Sequence, residues 1–157
     1  MQKVYETSTN PEFQIGALRL LAEFANPALA ERSMDYAVSG KVRSQDAAIQ
    51  LAIPLRIDQT RDQAWQYITS HWDKVQTELT PEMGGALVSS AGSFCSATDR
   101  DNVKQFFSAH PVPSADQALK HAIEHIDGCI ELQTLQEPNL KTWLAVQPQS
   151  SSGIASY

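Results

Sequence analysis

Helix-start signals recur along this sequence so densely that they leave little room for another fold. A helix leaves its first backbone N–H groups without partners. A polar side chain just before it satisfies one of them, and proline suits the first turn because its missing N–H is not needed there. Asn10-Pro11-Glu12 and Asn26-Pro27 have this form. Ser44 is placed to cap another helix, with Asp46 in the first turn, where the helix dipole favours an acid. Thr60 with Gln63, and Ser114 with Gln117, have capping-box spacing. Thr80-Pro81-Glu82, Thr98 with Asp101, and Pro138 supply further starts, while Pro54 is placed to end the helix opened at Ser44.

Apolar residues between these signals recur at steps of three and four, the period of a helix face. Phe13, Ala17, Leu20, Leu21 and Phe24 form one such stripe. Trp65, Ile68, Trp72, Val75 and Leu79 form a second. Leu119, Ala122, Ile126, Cys129 and Ile130 form a third, and Leu140, Trp143 and Leu144 belong to a last helix after Pro138. No segment alternates with period two between hairpin turns, so no strand is expected. Short Pro- and Gly-containing connections join successive helices into antiparallel pairs. The expected fold is all-α, a right-handed α-α superhelix of antiparallel helix pairs of the HEAT/armadillo type, although no sequence repeat of fixed period is visible. Residues 1–146 are read as one helical domain, and the polar, Ser-rich segment 147–157 as a flexible C-terminal tail.

Composition supports a folded core and narrows the function. Of 157 residues, 42% are hydrophobic and 19% charged, which is ordinary for a globular chain. The formal net charge of −6 disfavours nucleic acid, whose phosphates call for clustered Lys and Arg. No apolar run is long enough to span a membrane. Met1-Gln2-Lys3-Val4-Tyr5 carries no apolar signal core, and the compartment stays open. Cys95 and Cys129 lack metal-type spacing and are expected to be two buried thiols rather than a disulfide.

Several local patterns could carry chemistry. His121-Ala122-Ile123-Glu124-His125 matches the inverted zinc-peptidase motif H-x-x-E-H. On a helix the two histidines share a face. That face lies away from the stripe of Leu119, Ala122, Ile126 and Ile130, and no third ligand is evident, so a solvated polar face is the favoured reading. Val42-Arg43-Ser44-Gln45-Asp46 offers a guanidinium suited to a peptide carboxylate or a neighbouring domain. A local role is favoured there, with Asp46 favouring the helix start and Gln45 and Arg43 tying adjacent turns together. Trp65 and Trp72 are expected to be core, and so is Trp143, because each buries a large apolar area. No G-x-S-x-G elbow, phosphate-binding loop or dinucleotide fingerprint is present.

Taken in order, Tyr36, Val42-Arg43-Ser44-Gln45-Asp46, Arg61, Ala64-Trp65, Trp72-Asp73, Phe106-Phe107, Pro111, Glu124 with Ile126, and Trp143-Leu144 resemble the C-terminal helical domain of the M1 zinc aminopeptidases. The resemblance is best from Tyr36 to Leu144, and His71 departs from the Asn usual before the tryptophan. It implies a non-catalytic domain that caps the active-site cleft of an aminopeptidase and governs peptide access. The implied partners are the catalytic domain of the same polypeptide and, through it, peptide substrates. The implied zinc belongs to that catalytic domain, whose H-E-x-x-H and G-x-M-E-N motifs do not occur here. On this reading the present chain has no catalytic or metal-binding residue of its own. Arg43, Gln45 and Asp46 are the candidate substrate or domain-interface contacts. A face left bare near Phe13, Leu20, Leu21 and Phe24 is expected to promote self-association. Two alternatives stand beside this reading: a free-standing helical-repeat scaffold for a protein partner, and a small zinc hydrolase using His121, Glu124 and His125.

Overall fold

Two asparagines open helices as their sequence context predicts. Asn10 Oδ1 accepts the Glu12 N–H at 2.9 Å, and Asn26 Oδ1 accepts the Leu29 N–H at 3.2 Å. The structure is a computed structural model describing residues 1–80 and 83–146. Among these residues there are nine α-helices, two short 3-10 turns and no strand. The helices are α1 (Gln2–Thr7), α2 (Pro11–Ala22), α3 (Pro27–Ala37), α4 (Ser44–Ala52), α5 (Arg61–Ser70), α6 (Trp72–Glu78), α7 (Gly84–Ser90), α8 (Ala97–Ala109) and α9 (Asp116–Val146). The fold is all-α. Of the start Thr80-Pro81-Glu82, Pro81 and Glu82 lie outside the described residues, as does the expected tail 147–157.

Each helix buries a stripe against its neighbours. Helix α2 packs on α1, α3 and α4, and α3 packs on α4 and α5. Helix α4 crosses to α7, while α9 lies against α7, α8 and the 3-10 turn Ala91–Ser93. Met34, Leu51, Leu55, Ile68, Leu87, Val103 and Ile126 form the fully buried interior. No helix among the described residues is long and apolar enough to cross a membrane.

Other caps sit one or two residues from the expected place. Ser44 is the first residue of α4, with Arg43 at the cap position and no side-chain cap bond. Thr60 does not close a capping box; its hydroxyl is buried and donates to the Pro54 carbonyl at 2.9 Å. Helix α8 is capped by Ser96, whose Oγ accepts the Asp99 N–H at 3.1 Å, and not by Thr98. Ser114 takes φ of 61°, a left-handed turn residue ahead of the α9 start at Asp116.

The stripe on α2 is rotated from its expected setting. Ala17, Leu18 and Ala22 are buried, while Phe13 is 65% and Leu20 49% exposed. Helix α1, which the sequence reading did not anticipate, packs on α2 alongside α3 and α4. The helix expected to carry both Trp65 and Trp72 breaks at His71, whose backbone (φ −113°, ψ 26°) leaves the helical region. The stripe survives the break: Ile68, Trp72 and Val75 are buried, and Trp65 and Leu79 are half-buried.

Three expectations fail in the C-terminal half of the chain. Pro138 does not begin a new helix; it lies inside α9, which runs unbroken for 31 residues. Every residue from Glu131 to Val146 is exposed, so Trp143 is not core. Cys95 and Cys129 are not free buried thiols either. They form a disulfide with Cα atoms 5.3 Å apart, and both residues are half-buried. The physical reason is the close approach of the turn at Gly92 to α9, where an added Cβ would stand 3.0 Å from Ala122 Cα.

Candidate functional site

The junction between α3 and α4 gathers the charged residues singled out by sequence. Gly40 takes φ of 75°, a left-handed conformation that glycine adopts freely, and turns the chain after α3. Val42 then plugs the core, and Arg43 emerges at the surface. Its Nε donates to Asp46 Oδ2 at 2.9 Å, with the Arg43 side chain 51% and the Asp46 side chain 11% exposed. Asp46 strengthens the positive charge of Arg43, first through its own charge and then through this hydrogen bond. Arg43 and Asp46 are thus brought together, one turn apart, while Gln45 stands exposed beside them.

The residues behind this corner come from α1, α2 and α3, and the sequence reading missed all of them but Tyr36. The Arg43 backbone N–H donates to Tyr5 Oη at 3.3 Å. The Tyr5 ring meets Tyr36 edge-on, with centroids 6.2 Å apart and planes at 90°. The Tyr36 hydroxyl donates to Glu6 Oε1 at 3.1 Å. Burial, and then this bond to Glu6, push the Tyr36 phenol up to about 12. Hydrogen bonds from Gln2 and then Tyr36 hold the Glu6 carboxyl below its usual range. The Gln14 amide pins the α1–α2 turn by donating to the Tyr5 and Ser8 carbonyls, at 3.2 and 3.0 Å. Tyr5, Glu6, Gln14, Lys41 and Arg43 line one open cleft. It holds two cations and one carboxylate beside the Tyr5 phenol and the Gln14 amide. Tyr36 was the one sequence signal that reached into this group.

The H-x-x-E-H residues lie elsewhere, on the outer face of α9. His121, Glu124 and His125 are all exposed. His121 Nδ1 stands 3.1 Å from Glu124 Oε2, and its Nε2 stands 3.2 Å from the Gln117 amide. Both nitrogens of that ring therefore already face protein partners. No group of three or more His, Cys, Asp or Glu side chains among the described residues could hold a metal ion.

Trp65, Trp72, Phe106 and Phe107 of the sequence pattern pack as one layer. Trp65 meets Phe94, Phe106 and Phe107 edge-on, and Trp72 meets Phe106, Phe107 and His110. This layer joins α5 and α6 to α8. Arg61 serves the same framework, donating from Nε to the Leu55 carbonyl at 3.1 Å.

Comparison with known proteins gives this arrangement a lineage. The ERAP1-like C-terminal domain family matches residues 1–128. An alanine/arginine aminopeptidase of Saccharomyces cerevisiae is 28% identical over 127 residues, covering 78% of this chain and 15% of its own length. Aminopeptidase 2, mitochondrial, of the same yeast is 27% identical over 131 residues, covering 80% of this chain and 14% of its own. Aminopeptidase M1-D of Oryza sativa subsp. japonica is 25% identical over 126 residues, covering 79% and 14%. The chain thus spans about 15% of the length of the curated relatives it matches. A family match over residues 1–128, on an all-helical fold with its aromatic layer in place, is decisive: the chain belongs to the ERAP1-like C-terminal domains, the C-terminal domain of the M1 aminopeptidases.

Proposed function

We propose that this chain serves as the non-catalytic C-terminal domain of an M1-type zinc aminopeptidase, capping the active-site cleft and governing peptide access. The observation that carries this reading is the family match over residues 1–128, together with the likeness to relatives that are named as aminopeptidases. The zinc implied by the family would belong to the catalytic domain. His121, Glu124 and His125 do not fit it, since all three are exposed and both His121 ring nitrogens face neighbouring side chains. The partner is the catalytic domain of the same polypeptide, and peptides reach this chain through it. The stacked helices would form the right-handed superhelical wall of a bowl. The Arg43, Gln45 and Asp46 corner would contact either a peptide's far end or the neighbouring domain. A half-exposed guanidinium above an open cleft is suited to both.

The decisive test is genetic and then enzymatic. The coding sequence upstream should continue in frame into an H-E-x-x-H domain. Deleting residues 1–157 from that enzyme should change how its rate depends on peptide length while leaving its zinc content intact. A reading frame that stops just upstream, with the chain made on its own, would favour the free-standing helical scaffold. The exposed Phe13, Ile15 and Leu20 on α2 are compatible with either reading, because an apolar face can meet a parent domain or a second protein.

A further inference from the structure

The disulfide sits at a boundary in α9. The first half of the helix is docked: Ala122 and Ile126 are buried against α7, α8 and the turn Ala91–Ser93, with Leu119, Ile123 and Ile130 half-buried around them. The second half is bare, and every residue from Glu131 to Val146 is exposed. Six of those exposed residues are large and apolar: Leu132, Leu135, Leu140, Trp143, Leu144 and Val146.

The geometry explains why the bridge forms where it does. Gly92 lets the turn come against α9 at Ala122, with its hypothetical Cβ 3.0 Å from Ala122 Cα. Three residues further along the turn is Cys95. Seven residues further along α9 is Cys129. A seven-residue step is nearly two helical turns, so Cys129 lies almost in line with Ala122 on the same face. Two chains that run alongside each other from Gly92 and Ala122 therefore bring the two sulfurs together, with Cα atoms 5.3 Å apart. Beside Ile130, which packs on the core, an ion pair joins Arg100 Nη1 to Asp127 Oδ1 at 2.9 Å, between side chains 28% and 49% exposed. An ion pair that exposed holds weakly in water.

We infer that the Cys95–Cys129 bridge is a redox-sensitive clasp at the root of the projecting half of α9, and that the protein acquires it in an oxidising compartment. A disulfide persists only where the thiol pool does not reduce it. Formation needs a disulfide donor, either oxidised glutathione or a thiol oxidoreductase. The thiolate of one cysteine attacks the donor disulfide and releases one donor thiolate. The thiolate of the other then attacks the mixed disulfide and releases the second. The protein loses two electrons and two protons, and the donor is reduced to two thiols. Reduction reverses both steps and loosens the last docked turn, Asp127 to Ile130, leaving the apolar arm beyond it without a fixed direction.

Two measurements test this. Thiols of the protein in its own host cells are trapped with an alkylating reagent before lysis, and the peptides are mapped by mass spectrometry. The expected result is a cross-linked Cys95–Cys129 peptide pair with both cysteines unlabelled. Alkylation of both cysteines in most molecules would overturn the oxidising-compartment inference. Hydrogen exchange is then compared between the oxidised chain, the same chain after reduction, and the double variant Cys95→Ser/Cys129→Ser. Amides from Asp127 to Thr134 should exchange roughly tenfold faster or more without the bridge, while those of α4 stay within about twofold. Equal exchange in all three forms would sink the clasp, and so would an equal acceleration in α4. If the double variant does not fold, the reduced wild-type chain supplies the same comparison.

Discussion

Trp72 meets Phe106 edge to face, with ring centroids 5.1 Å apart and planes at 89°. This contact ties α6 to α8 at the centre of the aromatic layer, and Trp72 is only 5% exposed. Trp143, by contrast, is 57% exposed on the bare half of α9. Replacing a buried aromatic by alanine costs ~3–5 kcal/mol through lost transfer energy and a residual cavity. Trp72→Ala should therefore lower the urea midpoint sharply. Trp143→Ala should stay within about 0.5 kcal/mol of wild type, as exposed sites usually do. Comparable losses in the two variants would mean that the far half of α9 is packed in solution.

The helix caps give a second, finer test. Ser96 Oγ accepts the Asp99 N–H at 3.1 Å, whereas the exposed Thr98 sits inside the first turn of α8. Losing an N-cap costs ~1 kcal/mol. Ser96→Ala should cost about that much in chemical denaturation, and Thr98→Ala should change little. The opposite ranking would place the start of α8 two residues later.

These contrasts show what the sequence could and could not convey. Caps at Asn10 and Asn26 and the Ile68–Trp72–Val75 stripe were legible because they depend on neighbours within a turn or two. The pairing of Arg43 with Asp46 spans one helical turn, yet the sequence marked Asp46 only as a favourable acid at the helix start. The Cys95–Cys129 bridge was not legible, because it depends on how closely Gly92 approaches Ala122, a distance fixed by packing between elements. The rotated face of α2 was hidden for a similar reason: its second neighbour, α1, carries too short an apolar pattern to announce itself. Pro138 misled because proline usually begins or breaks a helix. Here only the Thr134 carbonyl loses its usual backbone donor, and on a solvent-exposed helix water can take that place. Tyr5 and Glu6, which complete the cleft at Arg43, belong to that same unannounced helix.

Alkaline pH should expose the buried tyrosine pair. The Tyr36 phenol is pushed from its ordinary value of 10.0 up to about 12, first by burial and then by its bond to Glu6. A folded-state value above the unfolded one means that the neutral phenol is favoured by folding. That contribution is fully present below pH about 10 and is lost as pH rises through about 12. Tyr67, raised by burial and by its 2.8 Å bond to Asp35, acts in the same direction. Melting temperature should thus fall between pH ~10 and ~12. In Tyr36→Phe that fall should be shallower, with one late-titrating tyrosinate missing from the ultraviolet titration. A fall of unchanged steepness in the variant would assign the loss to other groups.

Arg43 separates a local role from one at an interface. Its side chain is 51% exposed, and its ion pair with Asp46 spans one turn at the surface. Exposed pairs of this kind contribute ~0–1 kcal/mol, because water screens the charges and ordering two side chains costs entropy. Arg43→Ala in the isolated chain should therefore unfold within about 1 kcal/mol of wild type. Arg43 shares an open cleft with Tyr5, Glu6, Gln14 and Lys41, which on the proposed function would receive a neighbouring domain or a peptide end. In the full-length enzyme the same substitution should weaken turnover of long peptides more than that of a single-residue aminoacyl substrate, which is too short to reach the corner. Arg43→Lys should recover part of the loss, since it keeps the charge but not the forked geometry. Equal effects on long and short substrates would remove Arg43 from peptide recognition. A large loss of stability in the isolated chain would return it to a purely structural part.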